Sequence, residues 1–142
     1  MSIKMTNNMI SASVNNADLS GADESILIVD DERMQRDLLS KLLNVLGYAA
    51  TAVASGEEAV TFLRTHQVNL VMLDMCMTPG MNGRQTFEAI LKLHPEQKVI
   101  IVSGYSDSEE ISKSFALGAK DFVRKPYTIA ELGQAVKRGL SS

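Results

Sequence analysis

The sequence predicts an open α/β domain built on a parallel sheet, on three observations. Four short runs, residues 26–29 (ILIV), 70–73 (LVML), 99–102 (VIIV) and 122–123 (FV), are continuously apolar. They show none of the polar alternation of a half-exposed sheet, so both of their faces are expected to be covered, as in parallel sheets. Helically spaced stretches separate them, and strict strand–helix alternation places helices on both faces of one sheet through right-handed crossovers.

The elements follow in order. After strand 26–29, a helix is predicted over 32–46, with Met34, Leu38, Leu42, Val45 and Leu46 as its apolar face and Gly47 as its stop. Residues 49–53 (AATAV) form a weaker, edge-like strand. A helix over 55–65 opens with Ser55 and Glu58 three positions on, a capping-box pattern. Strand 70–73 precedes a helix over 83–93, which Pro95 prevents from continuing. Strand 99–102 leads to a helix over 107–117, opened by Asp107 and Glu110 and stopped by Gly118. Strand 122–123 leads to the last helix, 128–138, opened by Thr128 and Glu131. Residues 1–24 are rich in Ser, Asn, Ala and Asp without apolar period, and read as a flexible tail or linker ahead of a single domain over 25–142.

Composition narrows the function classes. The 142 residues suit one domain with a core of its own. A net charge of −3 with no basic stripe gives no footprint for nucleic acid. No apolar run approaches the roughly 20 residues that span a bilayer, so no membrane insertion is expected. Cys76 is the only cysteine, which precludes an internal disulfide and suits a reducing, cytoplasmic setting.

The chemistry concentrates where the strands end. The first run ends in Asp30 and Asp31, the third strand in Asp74, the fourth in Ser103, and the fifth, after Arg124, in Lys125. In a parallel sheet all these ends lie along one rim, where open α/β sheets bind ligands. Taken singly, an Asp after a strand is as readily a turn residue or helix cap, Ser103 before Gly104 a plain turn, and Lys125 a solvated charge. Taken together, three carboxylates at one rim need a cation to hold them. Hard oxygen ligands suit Mg2+, an ammonium suits an anion, and the set describes a metal-assisted phosphoryl site with a carboxylate as candidate nucleophile.

The motifs ILIVDDE, LVMLD, IIVSG and GAKDFVRKPY, in this order and spacing, resemble the receiver domain of two-component response regulators. The resemblance covers residues 25 to about 140 and implies a flavodoxin-like (βα)5 three-layer sandwich with a five-stranded parallel sheet in order 2-1-3-4-5. It implies that Asp74 is the phosphoacceptor, taking its phosphoryl group from a histidine kinase or a histidine phosphotransfer protein. Asp30, Asp31, Asp74 and the Cys76 backbone carbonyl would hold Mg2+ (or Mn2+), with Asp31 as a direct ligand. The Cys76 and Gly104 N–H groups and the Lys125 ammonium would bind the phosphoryl oxygens. Ser103 and Phe122 would form the switch, remodelling the surface of the fourth helix and fifth strand for a downstream protein. Pro126 would follow a cis peptide bond. A monomer or weak dimer is expected, acting as a phosphoacceptor and not as an enzyme with turnover.

The loop after Asp74 departs from the family pattern Asp-x-x-Met-Pro-x-Met-x-Gly. It reads DMCMTPGMNG, one residue longer, with Thr78 before the proline and Gly80 after it. This form is similar to receivers attached to hybrid sensor kinases. Cys76 and Tyr105 are candidates for setting how fast water removes the phosphoryl group. The alternative function is an aspartyl-phosphate-forming phosphatase, but that chemistry asks for an acid two residues after the nucleophile, where Cys76 stands. A nucleotide or flavin binder is disfavoured because no Gly-rich phosphate loop follows Val29.

Overall fold

The computed structural model describes residues 20–77, 79–104 and 108–142, with the backbone alone of Ser108. In chain order the elements are β1 (Ser25–Val29), α1 (Arg33–Val45), β2 (Ala49–Val53), α2 (Gly56–Leu63), β3 (Leu70–Asp74), α3 (Gly83–Leu93), β4 (Val99–Ser103), α4 (Ser108–Leu117), β5 (Asp121–Arg124) and α5 (Ile129–Ser141). The five strands are all parallel and run in the order β2-β1-β3-β4-β5. This is the flavodoxin-like (βα)5 sandwich that the apolar runs and the resemblance imply.

The strand period of two sorts side chains into two cores. Ile26, Ile28, Leu70, Met72, Ile100 and Val102 meet Leu39 and Leu43 of α1 and Leu132 and Val136 of α5 on one face. Leu27, Val29, Val71, Leu73, Val99 and Ile101 meet Ala59 and Leu63 of α2 and Phe87 and Ile90 of α3 on the other. Each central strand is therefore buried on both sides, which is why its sequence carries no polar alternation. β2 is an edge strand with exposed Ala49, Thr51 and Ala52, as its weaker pattern suggests. Among the described residues no helix is long and apolar enough to cross a membrane.

Helix ends follow local chemistry. Asn82 and Gln85 form a reciprocal capping box at α3, and Thr128 and Glu131 another at α5. At α2 the Ser55 side chain accepts from the Glu58 N–H, but Glu58 reaches past the cap to the Ala54 N–H, so the expected box is only half formed. The Asp107 opening expected at α4 lies outside the described residues.

The apolar face expected for α1 is corrected in part. Leu46 is buried and Leu42 packs against the core as expected, but Met34 is 83% exposed, Leu38 and Val45 are exposed as well, and Leu39 and Leu43 are buried in their place. The run Arg33–Val45 carries two overlapping apolar stripes, and tertiary ties choose between them. The Arg36 guanidinium donates to the Asp30 carbonyl at the helix start, and the Tyr48 N–H donates to the Leu43 carbonyl at its end. Replacing Leu43 by Ala should cost about 2–5 kcal/mol, whereas Met34→Ala should stay within about 0.5 kcal/mol. Urea unfolding of the two variants checks this, and equal losses would contradict the observed phase of α1.

Candidate functional site

Strand register brings the acids together. Val29 lies opposite Leu73, so the next residues, Asp30 after β1 and Asp74 ending β3, stand side by side at the C-terminal rim. Asp74 pairs in register with Val102, one residue before Ser103, and Ser103 lies opposite Arg124, one residue before Lys125. The Lys125 N–H donates to the Ser103 carbonyl and extends the pairing one step past β5. Four neighbouring strand ends thus deliver Asp30, Asp74, Ser103 and Lys125 to one rim.

The side chains converge. Carboxylate oxygens of Asp30, Asp31 and Asp74 lie within 4.8 Å of one another, with Asp30 and Asp74 buried and Asp31 exposed. Lys125 Nζ sits 3.2 Å from Asp30 Oδ2 and 4.0 Å from Asp74 Oδ1. The Cys76 N–H donates to Asp74 Oδ1 at 3.1 Å, and Cys76 Sγ lies 3.8 Å from Ser103 Oγ. Ser103 is 2% exposed. At Gly104 an added Cβ would meet, among the described residues, only Lys125 Cβ, at 3.8 Å. The Lys125–Pro126 bond is cis, as expected. Phe122 is half-buried against the second core, with the Arg124 guanidinium 5.6 Å from its ring centre. Asp30, Asp31, Asp74, Cys76, Ser103, Gly104 and Lys125 therefore lie at this rim, Phe122 sits within β5 opposite Ile101, and Tyr105 lies outside the described residues.

Burial pushes the Asp74 carboxyl up to about 6; the Cys76 N–H opposes this, the Asp30 charge adds to it, and Lys125 pulls back. Two buried carboxylates sharing one ammonium leave negative charge uncompensated. The donor set is all oxygen, partly buried and partly exposed, which fits a hard divalent cation.

The sequence reading missed Arg36, whose Nη1 donates to the Asp30 carbonyl at 2.9 Å. It lies on α1, six positions beyond Asp30, and no motif marks it. Asp30 also caps its own turn, accepting from the Glu32 N–H at 2.9 Å. The bland and the functional readings of this residue thus both hold: one oxygen orders the turn and the other faces Lys125. His66 and His94 sit away from the rim. His66 stacks on Phe62 and His94 Nε2 lies 2.7 Å from the Leu63 carbonyl.

Sheet order, strand-end acids and a lysine after the fifth strand define an α/β sandwich with a cation-seeking rim. The chain belongs to the response regulator receiver domain family, which matches residues 26–137. It is 36% identical over 118 residues to sporulation initiation phosphotransferase F of Bacillus subtilis, covering 83% of this chain and 94% of that protein. It is 32% identical over 117 residues to the C4-dicarboxylate transport transcriptional regulatory protein DctD of Rhizobium meliloti, covering 82% of this chain but only 25% of that longer protein. Among solved structures, a CheY-like response regulator receiver domain protein from Methanospirillum hungatei superposes with a TM-score of 0.78 at 30% identity, covering 83% and 94% of the two chains.

The raised Asp74 value has a consequence for stability. Its folded value of about 6 lies above the ordinary 3.8, so the folded state holds the proton more tightly than the unfolded chain. That stabilisation is complete below about pH 4 and is lost as pH rises through 6, a swing of about 3 kcal/mol at most. Asp74→Asn removes the buried charge. In the presence of a chelator it should melt above wild type at pH 7.5 and close to wild type at pH 4. Equal melting temperatures at pH 7.5 would contradict the assignment.

Proposed function

We propose that this chain is a phosphoacceptor in a two-component relay, with residues 25–142 as the receiver and residues 1–24 as a lead or linker. Asp74 takes a phosphoryl group from a histidine of a kinase or a phosphotransfer protein. The observation that carries this reading is the placing of one ammonium, Lys125, against two buried strand-end carboxylates, Asp30 and Asp74. A structural ion pair needs one acid; a second, with Asp31 beside it, leaves excess negative charge that a metal would compensate.

The chemistry follows from the side chains. Ionised above about pH 6, Asp74 is a nucleophile at neutral pH. One carboxylate oxygen attacks phosphorus while the bond to the donor imidazole breaks, and the other is held by the Cys76 N–H. The Lys125 ammonium stands ready for the phosphoryl oxygens, as lysines do at phosphate sites. Asp30, Asp31, Asp74 and the Cys76 carbonyl would hold Mg2+ (or Mn2+), which when bound supplies positive charge to the phosphoryl oxygens. The new group adds up to about two negative charges and three acceptor oxygens beside Ser103 and the Gly104 N–H.

The switch follows from the same placement. Drawing the Ser103 hydroxyl toward the phosphoryl group opens room beside the half-buried Phe122. Inward rotation of that ring would reshape the α4–β5 surface for a protein partner. The longer loop after Asp74 supports a receiver of the hybrid-kinase type, acting in the cytoplasm.

A small phosphodonor such as acetyl phosphate, with Mg2+, should place one acid-stable, base-labile phosphoryl group on each chain. Chelation and Asp74→Asn should each abolish it, and Lys125→Ala should slow it by about 100-fold or more. Label retained by Asp74→Asn would overturn the assignment.

A further inference from the structure

The loop from Asp74 to Gly83 is one residue longer than the family pattern; Thr78 lies outside the described residues, and the described ones on either side of it are anchored. Three anchors fix it. The Met77 side chain is buried in the second core. Gly83 seats the far end against the near one: a Cβ there would stand 2.6 Å from Met75 Cα and 2.8 Å from the Asp74 carbonyl oxygen, so only glycine allows this approach. Between these, the Met81 N–H donates to Glu57 Oε2 at 3.0 Å.

Glu57 is on the first turn of α2, outside the acidic cluster. The side chain that caps this helix is Ser55, which accepts the Glu58 N–H, while the Glu57 carboxylate faces the loop. The loop passes close to its carboxylate. Gly80 turns with φ +93°, and a Cβ there would come within 2.9 Å of Glu57 Oε2. A charged acceptor on a backbone N–H makes one of the stronger hydrogen bonds. The other side-chain bonds to this stretch, from Gln85 and Thr86, reach only Asn82 at the start of α3, one residue beyond Met81.

We propose that Glu57 is a positioning residue for the Asp74 site. Its carboxylate holds the lengthened loop through the Met81 N–H, and so fixes where the Cys76 backbone meets Asp74. This rests on the reading of Asp74 as phosphoacceptor. Glu57 touches neither Asp74 nor the incoming group and acts through the loop alone. Being exposed, it contributes to loop order and little to global stability.

The test compares Glu57→Ala and Glu57→Gln with wild type. Amide hydrogen exchange in the metal-free protein reads the loop, and single-turnover phosphorylation by acetyl phosphate with Mg2+ reads the site. In Glu57→Ala, exchange should rise about tenfold at Met81 and several-fold at Cys76, and phosphorylation should slow several-fold. Glu57→Gln, whose amide oxygen still accepts the N–H, should recover part of all three. Wild-type exchange at Cys76 and wild-type phosphorylation in Glu57→Ala would overturn the proposal. Label on Asp74→Asn in the same assay would overturn the phosphoacceptor reading instead, while the exchange comparison still reads Glu57 directly.

Discussion

The Lys125 ammonium reaches back across the rim to Asp30 and Asp74, and the geometry of the whole domain serves that contact. Two carboxylates about 4 Å apart repel by about 4 kcal/mol at an effective dielectric near 20. Burial adds a desolvation cost, visible in the raised Asp74 value. The fold accepts these costs at the one edge where a cation is delivered from β5. Sheet order makes this work. β1 and β3 are neighbours, so Asp30 and Asp74 adjoin, and β4 lies between β3 and β5, so Lys125 arrives beside Ser103.

Local structure then tunes the rim. Asp30 divides its two oxygens between the Glu32 N–H and Lys125, and its carbonyl accepts from Arg36, which ties α1 to the site. The Cys76 N–H holds one oxygen of Asp74. Compensation remains partial, because one ammonium faces an acidic triad. Partial compensation suits the proposed acceptor role. A fully neutralised carboxylate would be a poor nucleophile, and an uncompensated one would be protonated or would unfold the rim.

Most of the fold and nearly all of this rim were legible in the sequence, for a physical reason. Strands buried on both faces must be continuously apolar, so their ends, and the polar residues placed there, stand out without ambiguity. The same logic half failed for α1. Leu42 and Leu46 were read as inward and are, but Met34, Leu38 and Val45 continue their stripe as well as Leu39 and Leu43 do, and contacts with the turn after β1 and with Tyr48 set the helix. Asn82 and Gln85 carried a readable capping signal that hydrophobic periodicity alone passes over. Glu57 and Arg36 had no local signal, because their partners, a Met81 amide and an Asp30 carbonyl, are backbone groups that sequence does not mark. The extra loop residue was visible as a count, while the means of holding it emerged only from the packing of Met77, Gly83 and Glu57.

The central claim is that the strand-end carboxylate of Asp74, and no other acid of the rim, forms the phosphoryl bond. Borohydride reduction of the phosphorylated protein followed by peptide mass spectrometry tests it most directly, because reduction of an aspartyl phosphate leaves homoserine at the modified position. Homoserine is expected at position 74 alone. Homoserine at position 30 or 31, or a phosphoryl group retained on another residue type, would contradict it.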